Sequence, residues 1–229
     1  SAEKLAQDSR ILFFPCGQWG ASIFAESVTE MCIVGSNARR LLDCADLTHE
    51  WQIHGSEIGL HGCIIHGHEE AFDYIINRYD ALYPNRHDAG RNIARLKDRG
   101  GNMVMNISAS TCTGLPLTFE GHSLSPLQYF HVKYGIPLDV PNNSGSTPLH
   151  DVVSYHHHGE MEDLLYILDN GGFNQLEDED GLTPLDVAEA SLRSEENSGY
   201  DNAYNLEFFR EAVELLRYGF GNDAVMETV

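Results

Sequence analysis

The stretch Gly145–Val153 reads GSTPLHDVV, and 36 residues later Gly181–Glu189 reads GLTPLDVAE. Two such similar stretches are a sign of internal repetition. In each, a threonine that can cap a helix is followed by a proline, which fits the first helical turn because no N–H is needed there. Both stretches therefore predict the start of a helix.

Each predicted start is followed by a second amphipathic stretch that ends in glycine. Met161–Gly171 reads MEDLLYILDNG, and Leu206–Gly219 reads LEFFREAVELLRYG. The apolar residues recur at spacings of three and four, as in a helix that is buried on one face. Each unit is therefore predicted to consist of two helices.

These units resemble the ankyrin repeat family, whose unit of about 33 residues opens with a TPLH-type turn. The likeness is best at Thr147–His150, whereas Asp186 replaces the histidine in the next unit. Leu60–Asn77, LHGCIIHGHEEAFDYIIN, is similar to the family's Leu-His start, Gly-His turn and outer helix. The resemblance implies an all-α ankyrin-repeat solenoid of about four to five helix-pair units.

The template also predicts weaker units and a cap within a single domain, residues 1–229. Gly114–Leu117, GLPL, is predicted to open a degenerate unit whose second helix is Ser125–Gly135, and Glu30–Asp43 an earlier one. Residues 1–24 are expected to form an N-terminal cap. The predicted helix pairs lie near residues 56–79, 114–135, 147–171 and 183–219.

Three insertions break the period. The first, residues 80–110, carries five of the 14 basic residues around a predicted short helix, Asp88–Asp98. It either folds back toward acids of the following repeats, captures an acidic partner as an exposed arm, or is disordered. The other two, His156–His158 and residues 192–205, occupy the same slot of adjacent units, so Tyr200 and Tyr204 are expected to lie near the histidines.

Charge excludes some partner classes. Lys and Arg number 14 against 35 Asp and Glu, a net charge of −21, which makes nucleic acid a poor partner. Residues 139–229 hold 20 acids and three bases, so this part is expected to attract basic surfaces. No apolar run approaches the roughly 18 residues of a membrane span, and no signal-peptide pattern opens the sequence. We expect no membrane partner.

No catalytic or cofactor motif stands out. The five cysteines form no CxxC pair, which fits reduced thiols in the cytoplasm. His61, His66 and His68 occupy positions where the repeat template already uses histidine, so we expect no metal there. His156–His158 remains open between a metal-binding loop, a pH-sensitive loop and a solvated loop. With no P-loop, HExxH or GxSxG, we predict no catalytic residues and no cofactor.

The resemblance implies a protein-protein interaction module or adaptor, which binds through its concave surface and hairpin tips. We expect a monomer with a protein partner that has a basic surface. The alternatives are a bacterial effector acting on a host protein in the host cytosol, or a fragment of an enzyme whose catalytic part lies in an insertion or outside this chain. The predicted partner-binding residues are Asp139, Asn142, Asn143, Asp151, Glu177, Asp178, Glu179, Asp180, Arg91, Arg95 and Arg99.

Overall fold

The computed structural model describes residues 59–67, 69–98, 100–111, 115–154, 161–172, 175–197 and 203–219. Helices hold 64% of these residues and one two-stranded sheet is present among them, so the expectation of a mostly helical protein is confirmed. The chain divides into two compact units, Ser1–Pro137 and Leu138–Val229. No helix in the described ranges has both the length and the apolar character needed to cross a membrane.

The first unit contains five described helices and a β-hairpin. In chain order these are α1 Gly59–His66, α2 Glu69–Leu82, α3 Arg86–Ile93, α4 Val104–Ser110, β1 Leu117–Phe119, β2 His122–Leu124 and α5 Pro126–Tyr134. The strands are antiparallel, and Leu117 pairs with Leu124. Helix α1 packs against α2 and α4, while α5 packs against α3, α4 and the hairpin.

Capping residues explain the bounds of α5. Ser125 is the N-cap, and its hydroxyl accepts a hydrogen bond from the Gln128 N–H at 3.3 Å. Pro126 stands in the first turn, and the helix ends at Gly135 with a φ of 67°, a left-handed conformation that glycine adopts without strain. The predicted start at Ser125 and Pro126 is confirmed.

The prediction that a first helix opens at Gly114–Leu117 is wrong. Leu117 begins strand β1, and the chain reverses at Glu120 and Gly121, whose φ values are 50° and 85°. The first helix of this region is α4, which lies inside the predicted insertion and is buried from Val104 to Ala109. The predicted helix Asp88–Asp98 is also shifted, because α3 begins at Arg86 and ends at Ile93.

Aromatic and charged side chains join α2 to α5. The Phe72 ring meets the edges of the Tyr129 and Phe130 rings at centroid distances of 5.6 and 5.8 Å. Lys133 Nζ donates to Asp80 Oδ2 at 2.8 Å and lies 5.0 Å from the centroid of the Tyr129 ring. The Lys133 side chain is 12% exposed and the Asp80 side chain 37% exposed, so water screens this ion pair only in part.

The second unit contains four described helices. They are α6 Pro148–Ser154, α7 Met161–Asp169, α8 Pro184–Asn197 and α9 Ala203–Tyr218. Helix α6 packs against α7 and α8, and α9 packs against α8 and α7. At the apolar positions of these helices, Leu149, Ile167 and Leu216 are buried, and Leu168, Leu185 and Leu215 are half-buried.

Several predicted segments lie outside the described residues. These are the N-terminal cap 1–24, the early unit Glu30–Asp43 and the loop His156–His158. The predicted insertion 192–205 is described in part, because α8 continues to Asn197 and α9 begins at Ala203. The described residues of this predicted insertion therefore belong to α8 and α9.

Candidate functional site

Three turns of the same backbone geometry precede three of the helices. In Asp98–Asn102, Asn142–Ser146 and Asp178–Leu182, the N–H of the first residue donates to the carbonyl of the fifth, at 2.8 to 3.0 Å. The fourth residue is glycine each time, with φ between 74° and 81°, and its N–H donates back to the carbonyl of the first. Each turn thus needs glycine at its fourth position.

The first side chain of each turn holds the turn together. Asp98 Oδ1 accepts from the Asn102 N–H at 2.7 Å, Asn142 Oδ1 from the Ser146 N–H at 3.0 Å, and Asp178 Oδ1 from the Leu182 N–H at 2.9 Å. These oxygens replace water for backbone donors that the turn leaves unpaired. Asp, Asn and Asp therefore have a structural role at this position.

The helix after each turn begins in the same way. A side chain at its third position accepts from the N–H of the residue before the helix: Asn106 from Met103, His150 from Thr147, and Asp186 from Thr183, at 2.9 to 3.2 Å. The Thr183 hydroxyl and N–H lower the pKa of the Asp186 carboxyl through these hydrogen bonds. The turn Asp98–Asn102 was not predicted from the sequence, because the helix start that follows it, Met103–Asn106, lacks the Thr-Pro-Leu motif. The sequence signal of this turn is the pair Asp98 and Gly101.

The second and third turns contact each other within the second unit. The Glu179 N–H donates to the Ser144 carbonyl at 2.9 Å. His150 Nε2 lies 3.0 Å from the Leu182 carbonyl, and His150 Nδ1 accepts from Thr147, so the ring bridges its own helix start and the next turn. These bonds fix the backbone on which the predicted acidic contact residues stand.

The structure separates those contact residues into two groups. Asn143, Glu177, Glu179 and Asp180 are exposed, and Asp139 is half-buried. Asn142 and Asp178 are half-buried and hold their turns, while Asp151 is buried and accepts from the Ser146 hydroxyl at 3.0 Å. Only the exposed group presents carboxylates that a partner can reach directly.

Of the three predicted basic contact residues, the structure describes Arg91 and Arg95. Arg91 is exposed and pairs with Asp88 one turn earlier in α3. Arg95 is exposed and makes no ion pair within the part of the chain that the structure describes, whereas Arg99 lies outside it. Arg86, which the sequence reading did not single out, lies 4.9 Å from the Phe119 ring centroid and 3.4 Å from Glu120, so it joins α3 to the hairpin.

The three bases of the second unit are all paired. Arg193 and Arg217 both pair with Glu189, at 3.4 and 2.6 Å, and Arg210 pairs with Glu196 at 3.4 Å. All of these residues lie on α8 and α9. No base is therefore left in this unit to neutralise the acids of the turn Asp178–Leu182.

The described residues contain no group of histidines, cysteines or carboxylates arranged to hold a metal ion. The positions of His68 and of His156–His158 lie outside those residues. No model of a known protein family matches the sequence, and no curated protein matches it significantly.

Proposed function

We propose that this chain is an ankyrin-type stack of helix pairs that binds a protein partner through the exposed tip of the turn Asp178–Leu182. The partner has a basic surface in this proposal. The observation that carries it is the recurrence of one hydrogen-bonded turn in front of three helices. The last turn presents exposed carboxylates that form no ion pair with the described residues. The proposed fold supports the proposed binding, because stacked repeats form continuous interaction surfaces.

Equivalent packing in the two units supports the stack. Helix α1 contacts α4 as α6 contacts α8, and these are the helices that begin each pair. The second helices also meet, α2 with α5 through Phe72 and Tyr129, and α7 with α9. A repeat that contacts only its neighbours gives this pattern of first helix on first helix and second on second.

The charge of the last turn supports a basic partner. Glu177, Glu179 and Asp180 are exposed, and the arginines of the unit are occupied by two glutamates of α8. A surface of one sign raises the encounter rate with an oppositely charged partner, and salt screens this attraction. Fast, salt-sensitive association is the expected signature.

The rigidity of the turn also favours binding. Asp178 Oδ1 accepts from the N–H groups of Asp180 and Leu182, and Glu179 is bonded to Ser144 of the preceding turn. Little backbone freedom is then lost when a partner docks, so more of the interaction energy contributes to affinity.

A charge-reversal variant tests the proposal without breaking the turn. It carries Glu177→Lys, Glu179→Lys and Asp180→Lys and retains Asp178. The matched control carries Glu207→Lys, Glu211→Lys and Glu214→Lys, which change the net charge equally at exposed positions of α9. Proteins captured from cell lysate by each form are identified by mass spectrometry, and the association rate of a captured protein is then measured against salt.

We expect the wild type and the α9 control to retain the same partner and the turn variant to lose it. The association rate should fall at least about tenfold in the turn variant at low salt, with a flatter salt dependence. Equal binding by all three forms would refute the turn as the contact site. Loss in both variants would show that only overall charge matters.

A further inference from the structure

His61 of α1 is a fully buried histidine without hydrogen bonds. Its exposed fraction is 0%, and neither Nδ1 nor Nε2 has a hydrogen-bond partner. A buried polar group that lacks a partner destabilises the folded state, because it gives up its bonds to water. This ring is therefore a weak point of α1.

The corresponding histidine of the second unit is fully bonded. His150 accepts from Thr147 at Nδ1, and its Nε2 reaches the carbonyl of Leu182, the fifth residue of the next turn. The backbone of Asn102, the fifth residue of the neighbouring turn, acts against the lowering of the His61 pKa but gives neither ring nitrogen a full hydrogen bond. The two histidines thus hold similar positions in their helices, but only the ring of His150 is hydrogen-bonded at both nitrogens.

Among the residues that the structure describes, one charged group acts on the ring of His61. Helix α4 contains no titratable side chain, and the carboxylates of α2 nearest its start, Glu69, Glu70 and Asp73, are exposed. Burial lowers the pKa of His61 to about 4, and the Asp98 carboxylate of the adjacent turn opposes this shift only partly. A protonated ring is therefore poorly accommodated in the closed structure.

We propose that His61 makes the first unit acid-sensitive: uptake of one proton by its ring opens the contact of α1 with α4. The charged ring gains water once α1 separates, which the closed packing denies it.

The sign of the effect follows from linkage. The open state titrates near the ordinary pKa of 6.5 and the closed state near 4, so the open state binds more protons between these values. Stability is lost as pH falls through this window. The opening equilibrium of α1 should rise about 20-fold between pH 7 and pH 5.

Peptide-resolved hydrogen exchange, corrected for the intrinsic effect of pH, measures this opening in the full chain. His61→Leu removes the proton site while retaining an apolar side chain of similar size. Ile64→Val is the matched control, because Ile64 is also fully buried in α1 and the change loosens packing without altering a titrating group. The chemical shift of the His61 ring, followed by NMR from pH 8 to pH 4, gives its protonation directly.

Exchange in α1 and α4 should rise about 20-fold in the wild type and in Ile64→Val, and His61→Leu should abolish this rise. A rise of the same size in His61→Leu overturns the proposal. So does a His61 ring that titrates near pH 6.5 while α1 stays protected. Should His61→Leu fail to fold, the NMR titration of the wild type alone decides between these outcomes.

Discussion

Gly145 is predicted to be the residue at which the contact between the second and third turns is most sensitive to substitution. Its φ is 78°, and a Cβ added there would lie 3.0 Å from both Asp178 Cα and Glu179 N. Both are backbone atoms and cannot rotate away. Gly145→Ala therefore forces the turns apart and weakens the bond from the Glu179 N–H to the Ser144 carbonyl.

The expected loss has two parts. Placing alanine in a left-handed conformation costs about 1 to 2 kcal/mol, and losing one backbone hydrogen bond costs about 1 kcal/mol more, to which the close contact adds. We expect Gly145→Ala to lower the free energy of unfolding by about 2 to 4 kcal/mol. Urea unfolding followed by far-UV circular dichroism measures this loss.

Gly181→Ala is the matched control, because Gly181 has a φ of 74° in the equivalent position and a Cβ there meets no atom within 4 Å. This variant should lose only the conformational part, about 1 to 2 kcal/mol. The difference between the two variants isolates the contact between the turns. Equal losses would refute the reasoning, since they would mean that the two turns do not touch in solution.

Two further changes test the cores of the units. Leu149→Ala truncates a side chain of α6 that is 1% exposed, so unfolding should become easier by about 2 to 5 kcal/mol, and an unchanged thermal melt would count against the packing of α6 on α8. Lys133→Met removes the charge-assisted bond to Asp80 and the cation–π contact with Tyr129, so we expect a loss of about 1 to 3 kcal/mol in urea unfolding. Stability equal to wild type would show that this half-buried ion pair contributes nothing net.

Helices with strong local signals could be predicted from the sequence. The stretch predicted from Met161 contains α7, Met161–Asp169, and the stretch predicted from Leu206 lies within α9. Ser125 caps α5 as expected, because the Ser-Pro pair and Gln128 supply the capping interactions within four residues. These features depend on spacing and caps, which a single sequence displays.

Helix α4 could not be predicted in the same way. Val104–Ala109 is buried throughout, so it lacks the apolar and polar alternation that marks a surface helix. The template instead directed the prediction to Gly114–Leu117, where the chain forms a hairpin with α5 packed against both strands. Tertiary packing decided the structure in both places, and local propensity did not.

At the turn Asp178–Leu182, too, the folded structure separates residues that the sequence alone does not distinguish. In the run Glu177–Asp180 all four residues are acidic, and composition alone treats them as equivalent contact candidates. The pattern Asp or Asn, two residues, glycine occurs at Asp98, Asn142 and Asp178, and in each turn its first oxygen is bound to the fifth N–H. Asp178 is therefore committed to the turn, and the charge that a partner meets comes from its neighbours. A lysine at position 178 would remove the oxygen that holds the turn, so the proposed recognition is tested by substitutions that retain Asp178.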